Sequence, residues 1–187
     1  LKIREVLEGW GSGECGVIAS SRGLSLPWAA MVNATAAHAL DFDDNFDPAK
    51  AHISCVIWPA ILNVAEELDC SGRQCMDAYL AAIQIVGRIG QGVNPPHRKR
   101  GWHATATIGT LGTACAVARM MKLDAEQTAM AISLATSVTG GFMSQFGTMA
   151  KPLHAGNAAR GGIQSAYFAR AGLTAGWHTL DGPHGMN

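Results

Sequence analysis

Ser71-Gly72-Arg73-Gln74-Cys75-Met76-Asp77-Ala78-Tyr79-Leu80-Ala81-Ala82-Ile83-Gln84-Ile85-Val86-Gly87-Arg88-Ile89-Gly90-Gln91 is the stretch that decides the fold. Ser71 followed three residues later by Gln74 is a capping box, a pair of side chains that satisfies free backbone N–H groups at a helix start. Met76, Leu80, Ile83 and Val86/Gly87 then recur at three- and four-residue spacing, the period of an α-helix rather than the period two of a strand. The spacing predicts a helix from Ser71 to about Gln91 with that stripe buried.

Outward from it, Ala, Leu, Met and Ile keep the same spacing, so the expected fold is all-α, a multi-helix domain of antiparallel helices. Leu26 to Leu40 reads as a small-residue helix feeding into the acidic segment Asp41 to Asp47. Ser54 to Leu68 is another, in which Pro59 is tolerable only near the first turn. Ala104 to Met121 places Gly109, Gly112 and Ala116 on nearly one face, allowing another helix to come close. Asp124 and Gln127 form a second capping box, making Lys122-Leu123 a tight connection. The uncharged run Gln127 to Ala150 has the length of a membrane span. Its Ser, Thr and Gln residues and the Gly140-Gly141 break predict a buried core helix instead. A last helix, Asn157 to Ala171, is expected to stop at Gly172.

The 187 residues suffice for one domain, but only 15% are charged, against about 25% in ordinary soluble domains. Such a surface is expected to be covered by further chain or by a second subunit, and both ends, Leu1 and Asn187, read as cuts in a longer polypeptide. Fourteen basic and fourteen acidic residues cancel, which excludes the basic field that drives binding to nucleic acid or anionic membranes. His97-Arg98-Lys99-Arg100 is the one positive run; after Pro95-Pro96 it reads as a solvated loop, with anion steering as the sharper alternative. Cysteines 15, 55, 70, 75 and 115 contain no C-x-x-C pair, which predicts reduced thiols in a cytoplasmic protein, without disulfides or zinc.

Chemistry-bearing residues gather where helices begin or end. Asp41, Asp43, Asp44 and Asp47 repel one another and need compensation, and His52 follows them. The run reads either as an acidic loop bonded to backbone amides or as the D-D-x-x-D spacing, Asp43 to Asp47, of magnesium-dependent isoprenoid synthases. Against the second stand Pro48 and the lack of a second such cluster. His103 precedes a predicted helix, whose free amides favour a neutral imidazole able to exchange a proton. Lys151 ends a long uncharged stretch, so its ammonium needs an anion: a substrate carboxylate, Asp41 or Asp43. His154 stands before the last predicted helix as a cap or a catalytic group, and Asp181-Gly182-Pro183-His184-Gly185 is a turn.

In order and together, these segments resemble the MmgE/PrpD family, which includes 2-methylcitrate dehydratase, cis-aconitate decarboxylase and iminodisuccinate epimerase. The resemblance is carried by Asn33-Ala34-Thr35-Ala36-Ala37-His38-Ala39-Leu40-Asp41-Phe42-Asp43-Asp44, by Gly101-Trp102-His103 with Gly109-Thr110-Leu111-Gly112, and by Lys151-Pro152-Leu153-His154-Ala155-Gly156-Asn157-Ala158-Ala159. It implies that residues 1–187 belong to a large helical domain, closed by a smaller α+β domain that supplies an active-site tyrosine. It also implies a homodimer, no required cofactor or metal, and a small polycarboxylate as substrate. Asn45 and Ile53 depart from the Thr and Pro frequent in the family, and Asp43 stands where 2-methylcitrate dehydratases prefer Asn.

The resemblance implies a lyase or isomerase that transfers a proton next to a carboxylate, with a 2-methylcitrate dehydratase-like reaction preferred and decarboxylation or epimerisation as alternatives. His52 and His103 would exchange the proton, Asp41 would orient an imidazole, and Lys151 with His154, Asn45 and Asp44 would bind substrate. Two other classes compete: the magnesium-dependent isoprenoid synthase, and a non-catalytic scaffold in which the motifs are caps. A scaffold would leave His52, His103 and Lys151 facing no common cavity.

Overall fold

A computed structural model describes residues 2–186. The regular elements among these are α1 (Lys2–Leu7), β1 (Ser12–Cys15), α2 (Leu26–Ala37), α3 (Ser54–Leu68), α4 (Gly72–Val93), α5 (Pro96–Lys99), α6 (Ala104–Met120), α7 (Ala125–Thr136) and α8 (Ala150–Arg170). Two 3-10 turns, Asp47–Ala49 and Met143–Gln145, complete them, and β1 forms only isolated bridges to Leu24. The all-α class expected from periodicity holds.

Helix α6 is the axis of the fold. Every residue in it except Arg119 is buried, because α3, α4, α7 and α8 pack around it. Its small residues make this possible: a methyl group at Gly112 would come within 2.4 Å of Val86 Cγ2 in α4, and one at Gly109 within 3.3 Å of Val56 Cγ2 in α3. From α8, Gly162 meets it so closely that an added Cβ would lie 2.4 Å from Thr113 Cβ. The threonine hydroxyls buried by this packing bond back along the helix, Thr110 to the Ala106 carbonyl at 2.6 Å and Thr113 to that of Gly109 at 2.9 Å. Both predicted capping boxes are formed, at Ser71 with Gln74 and at Asp124 with Gln127. Gly172, with φ +92°, follows the end of α8.

Several expectations are corrected. The inner face of α4 is Cys75, Ala78, Ala82, Val86, Gly90 and Val93, whereas Met76 and Leu80 are 46% and 55% exposed. Both sides of α4 are apolar, and the side with smaller residues wins because it must approach α6 and the 47–49 turn: a Cβ at Gly90 would sit 2.5 Å from Ala49 Cα. The uncharged run is not one helix. α7 stops at Thr136, and the chain through 149 is irregular, with Gly141 and Gly147 at φ +131° and +79°.

α8 starts at Ala150 rather than Asn157, which puts Pro152 in a first turn that needs no N–H from it. α2 ends at Ala37, short of Leu40. Pro59 lies in the second turn of α3, inside the helix. Pro95-Pro96 opens a short helix instead of a loop, since a proline at the first helical position loses no hydrogen bond. α1 and β1 had no sequence signal. All five cysteines are free, and no described helix is long and apolar enough to cross a membrane.

Candidate active site

The chain between α2 and α3 and the chain between α7 and α8 fold over the starts of α6 and α8. Asp41 leaves the end of α2 at φ +58°, a left-handed conformation that aspartate tolerates better than most residues. Its carboxylate accepts two hydrogen bonds from Lys151 Nζ, at 2.5 and 2.6 Å. The Lys151 side chain is 13% exposed, so the ammonium is largely withdrawn from water and this partner compensates it. The hydrogen bond from Lys151 in turn holds the Asp41 carboxyl below the ordinary aspartate range. Lys151 Nζ also lies 5.0 Å from the centroid of the Phe146 ring, a cation–π contact.

His52 is fixed from two sides. Its backbone N–H donates to Thr105 Oγ1 at 3.0 Å, and its Nδ1–H donates to the Asp44 carbonyl at 2.9 Å. Nε2 is thereby turned toward Asp41 Oδ1, 3.6 Å away. His103 occupies the cap position before α6, and its backbone N–H donates to the Gly141 carbonyl at 3.0 Å. Met143 N–H returns a bond to the Gly101 carbonyl at 2.8 Å, so the 140–146 segment is clipped to the start of α6.

Nδ1 of His103 is 3.1 Å from Nδ1 of His154; one ring donates and the other accepts. Burial first, then the neighbouring imidazoles and Lys151, push the His103 pKa down to about 3. Burial also lowers His154. Both rings are therefore neutral at neutral pH, which for His103 is the direction expected from its place at a helix start, with burial rather than the helix amides as the main cause.

A residue without a sequence signal completes the cluster. His38, fully buried at the end of α2, donates Nδ1–H to Asp43 Oδ2 at 2.7 Å. Its ring centroid is 5.0 Å from that of His52 and 6.0 Å from that of His103. Burial holds His38 below the ordinary histidine value, outweighing the Asp43 carboxylate. Asp43 thus orients the His38 imidazole, while Asp41 is bonded to the lysine and stands 3.6 Å from His52 Nε2. Phe146, edge-on to His103 at 4.9 Å, was likewise not anticipated. His38 lies inside the Asn33-to-Asp44 stretch, but one histidine between alanines has no pattern of its own.

Asp41, His52, His103, Lys151 and His154 therefore come together in one cluster, whose members face two cavities rather than a single one. His52, His103 and Asn45 line a cavity of about 440 Å³, and His38, Asp41 and Lys151 a neighbouring one of about 660 Å³. Asp44 is committed to the backbone: its Oδ1 accepts from the Ser54 N–H at 2.9 Å and caps α3. Asp47 pairs with Lys50 at 2.5 Å. Asp43, Asp44 and Asp47 thus face three different partners, and the D-D-x-x-D magnesium face does not form.

A different set, His38, Asp41, Asp43 and His52, brings one ligand atom each within 4.8 Å of the others and has the chemistry to hold a cation. In this arrangement the ammonium of Lys151 neutralises Asp41. The segment at 181–185 stands apart, with Asp181 beside His178 at 3.2 Å and His184 lining a separate cavity of about 410 Å³. A larger cavity, about 1130 Å³, runs along α3, is lined by Val17, Trp58 and Leu62 among others, and is mainly apolar.

Three buried polar atoms in the cluster have no hydrogen-bond partner within the protein: His38 Nε2, Asp43 Oδ1 and His103 Nε2. Folded proteins rarely leave such atoms unpaired, so these two nitrogens and one oxygen are the polar groups with which a ligand would bond. A helical domain with an aspartate–lysine pair ringed by histidines defines the class of protein: residues 2–187 match the MmgE/PrpD N-terminal domain, and the chain belongs to that family.

Among curated relatives, it is 35% identical to the cis-aconitate decarboxylase of Homo sapiens over 162 residues, covering 82% of this chain and 33% of the relative. The cis-aconitate decarboxylase of Aspergillus terreus is 31% identical over 180 residues, covering 92% of this chain and 37% of the relative. The chain spans about a third of the length of these relatives. They are decarboxylases by name, which does not support the preference for a 2-methylcitrate dehydratase.

Proposed function

We propose that the whole protein is a lyase that removes carbon dioxide from a small unsaturated polycarboxylic acid of the cis-aconitate type. The observation that carries this reading is the buried cluster of imidazoles around the Asp41–Lys151 pair, with ring nitrogens left free of protein partners. The names of the relatives favour decarboxylation over the dehydration preferred from the resemblance. A homodimer, a closing second domain and a reaction without a required cofactor belong to the same proposal.

In such a reaction the bond from carbon to its carboxylate breaks and carbon dioxide leaves. The electron pair stays on carbon, spread over the adjacent unsaturation, until a proton is delivered there. The site must neutralise the remaining carboxylates and hold a proton donor within reach. Lys151, beside His154 at the start of α8, is the carboxylate binder, exchanging part of its bond to Asp41 for one to substrate. His52 is the residue that exchanges the proton, because Nδ1 is committed to the Asp44 carbonyl, which leaves Nε2, beside Asp41, as the ring nitrogen open to substrate. His103, kept neutral by burial, offers a hydrogen bond instead of a charge.

The intact enzyme supplied with cis-aconitate is expected to release carbon dioxide as the alkene absorbance changes. His52→Ala should lower kcat by about two to four powers of ten. Undiminished turnover by that variant, or dehydration of 2-methylcitrate as the sole reaction in a panel of acids, overturns the proposal.

A further inference from the structure

The positive run His97 to Arg100 is divided by the fold. His97 turns inward, buried, with Nε2 2.7 Å from Thr107 Oγ1 and its ring stacked on Trp102. Arg98, on the same short helix α5, is exposed and lines the 440 Å³ cavity together with His52, His103 and Asn45. Among the described residues it enters no salt bridge.

Charge makes this position matter. Three carboxylates, Asp41, Asp43 and Asp44, stand around the cluster against one ammonium, Lys151, while Asp47 and Lys50 cancel each other. The buried histidines add no charge when neutral. An acid carrying two or three carboxylates would enter a region that is already negative, with its one buried ammonium shared with Asp41. An unpaired guanidinium on the cavity wall is the counter-charge the arrangement otherwise lacks, and its planar fork suits a carboxylate.

We infer that Arg98 binds a second carboxylate of the substrate, the one not held by Lys151, and so selects polycarboxylates over monocarboxylates. This inference rests on the polycarboxylate reading above.

The test uses the intact enzyme, with glutarate and butyrate as competitive inhibitors that differ by the second carboxylate. Arg98→Gln is expected to raise KM and the glutarate inhibition constant about ten-fold, as loss of one charge-assisted contact does, with kcat nearly unchanged. Butyrate should weaken much less, Arg98→Lys should recover part of the loss, and Lys99→Gln should leave KM as it was. Equal weakening of both inhibitors, or an equal effect of Lys99→Gln, would make the run a general field and overturn the inference. If the wild-type enzyme neither binds nor converts polycarboxylates, the underlying reading fails, whatever Arg98→Gln does.

Discussion

Helix α6 and the segment 137–149 have nearly the same chemistry: both are rich in Gly and Thr and almost without charge. One is buried on every side, and the other is a loop with a single 3-10 turn over the candidate site. The difference lies in the use of glycine. In α6, and in α8 where it meets α6, glycines keep helical backbone angles and remove side chains so that neighbouring helices touch. In the loop, Gly141 and Gly147 adopt positive φ, which few other residues tolerate, and so bend the chain. The same residue type builds the frame in one place and aims the site in the other.

The strongest way to break this contrast is Gly162→Ala. The added Cβ would lie 2.4 Å from Thr113 Cβ and 2.9 Å from the Ala114 backbone nitrogen, neither able to swing aside. A stability loss of about 3 kcal/mol is expected from the overpacking, measured by chemical or thermal denaturation. Gly92→Ala, with nothing within 4 Å of its Cβ, should instead gain up to about 1 kcal/mol from helix propensity. A similar loss in both variants would dissolve the distinction between the two kinds of helical glycine.

Gly141→Ala probes the loop. Its φ of +131° is strained for alanine, and a Cβ would approach Ala106 Cβ at 3.0 Å and the His154 ring at 3.1 Å. Displacing His154 disturbs its contact with His103, so kcat should fall by up to about a hundred-fold, with a smaller loss of stability than Gly162→Ala causes. Unchanged kinetics would mean that the loop does not aim the histidines.

The smallest effect is a pH slope. His103, with its pKa pushed down to about 3, and His38, His97 and His154, also lowered by burial, stay neutral in the fold while the unfolded chain protonates near 6.5. Between those values the unfolded state binds more protons. For His103 the stabilisation is therefore complete above about pH 6.5 and is lost as pH falls toward 3, by at most about 1.4 kcal/mol per pH unit, and the other three rings add to the loss below pH 6.5. His103→Gln should flatten the fall in melting temperature below pH 6.5, whatever its effect on stability at neutral pH. An unaltered slope would remove His103 from the set of buried neutral rings.

Much of the frame was legible in advance because its signals are local. Both capping boxes join residues three apart, α3 was bounded at Ser54 and Leu68, and the small face of α6 read as a contact surface. The inner face of α4 was misread because hydrophobicity alone favours Met76 and Leu80, whereas close approach favours Ala78 and Ala82. The run from Gln127 to Ala150 was misread because lack of charge says nothing about backbone angle.

Among site residues, Asp41, His52, His103 and Lys151 were legible only as an ordered set resembling one family, since each alone has an ordinary structural explanation. The sequence by itself determined the helical class, the caps, the family and the residue types available for acid–base chemistry, because these rest on local spacing and order along the chain. Only the tertiary structure decided that Lys151 meets Asp41 across 110 positions, that His38 is oriented by Asp43, and how far burial lowers the pKa of His103. Pairing and pKa depend on burial and distance in space, and those are properties of the packed helices rather than of any one segment.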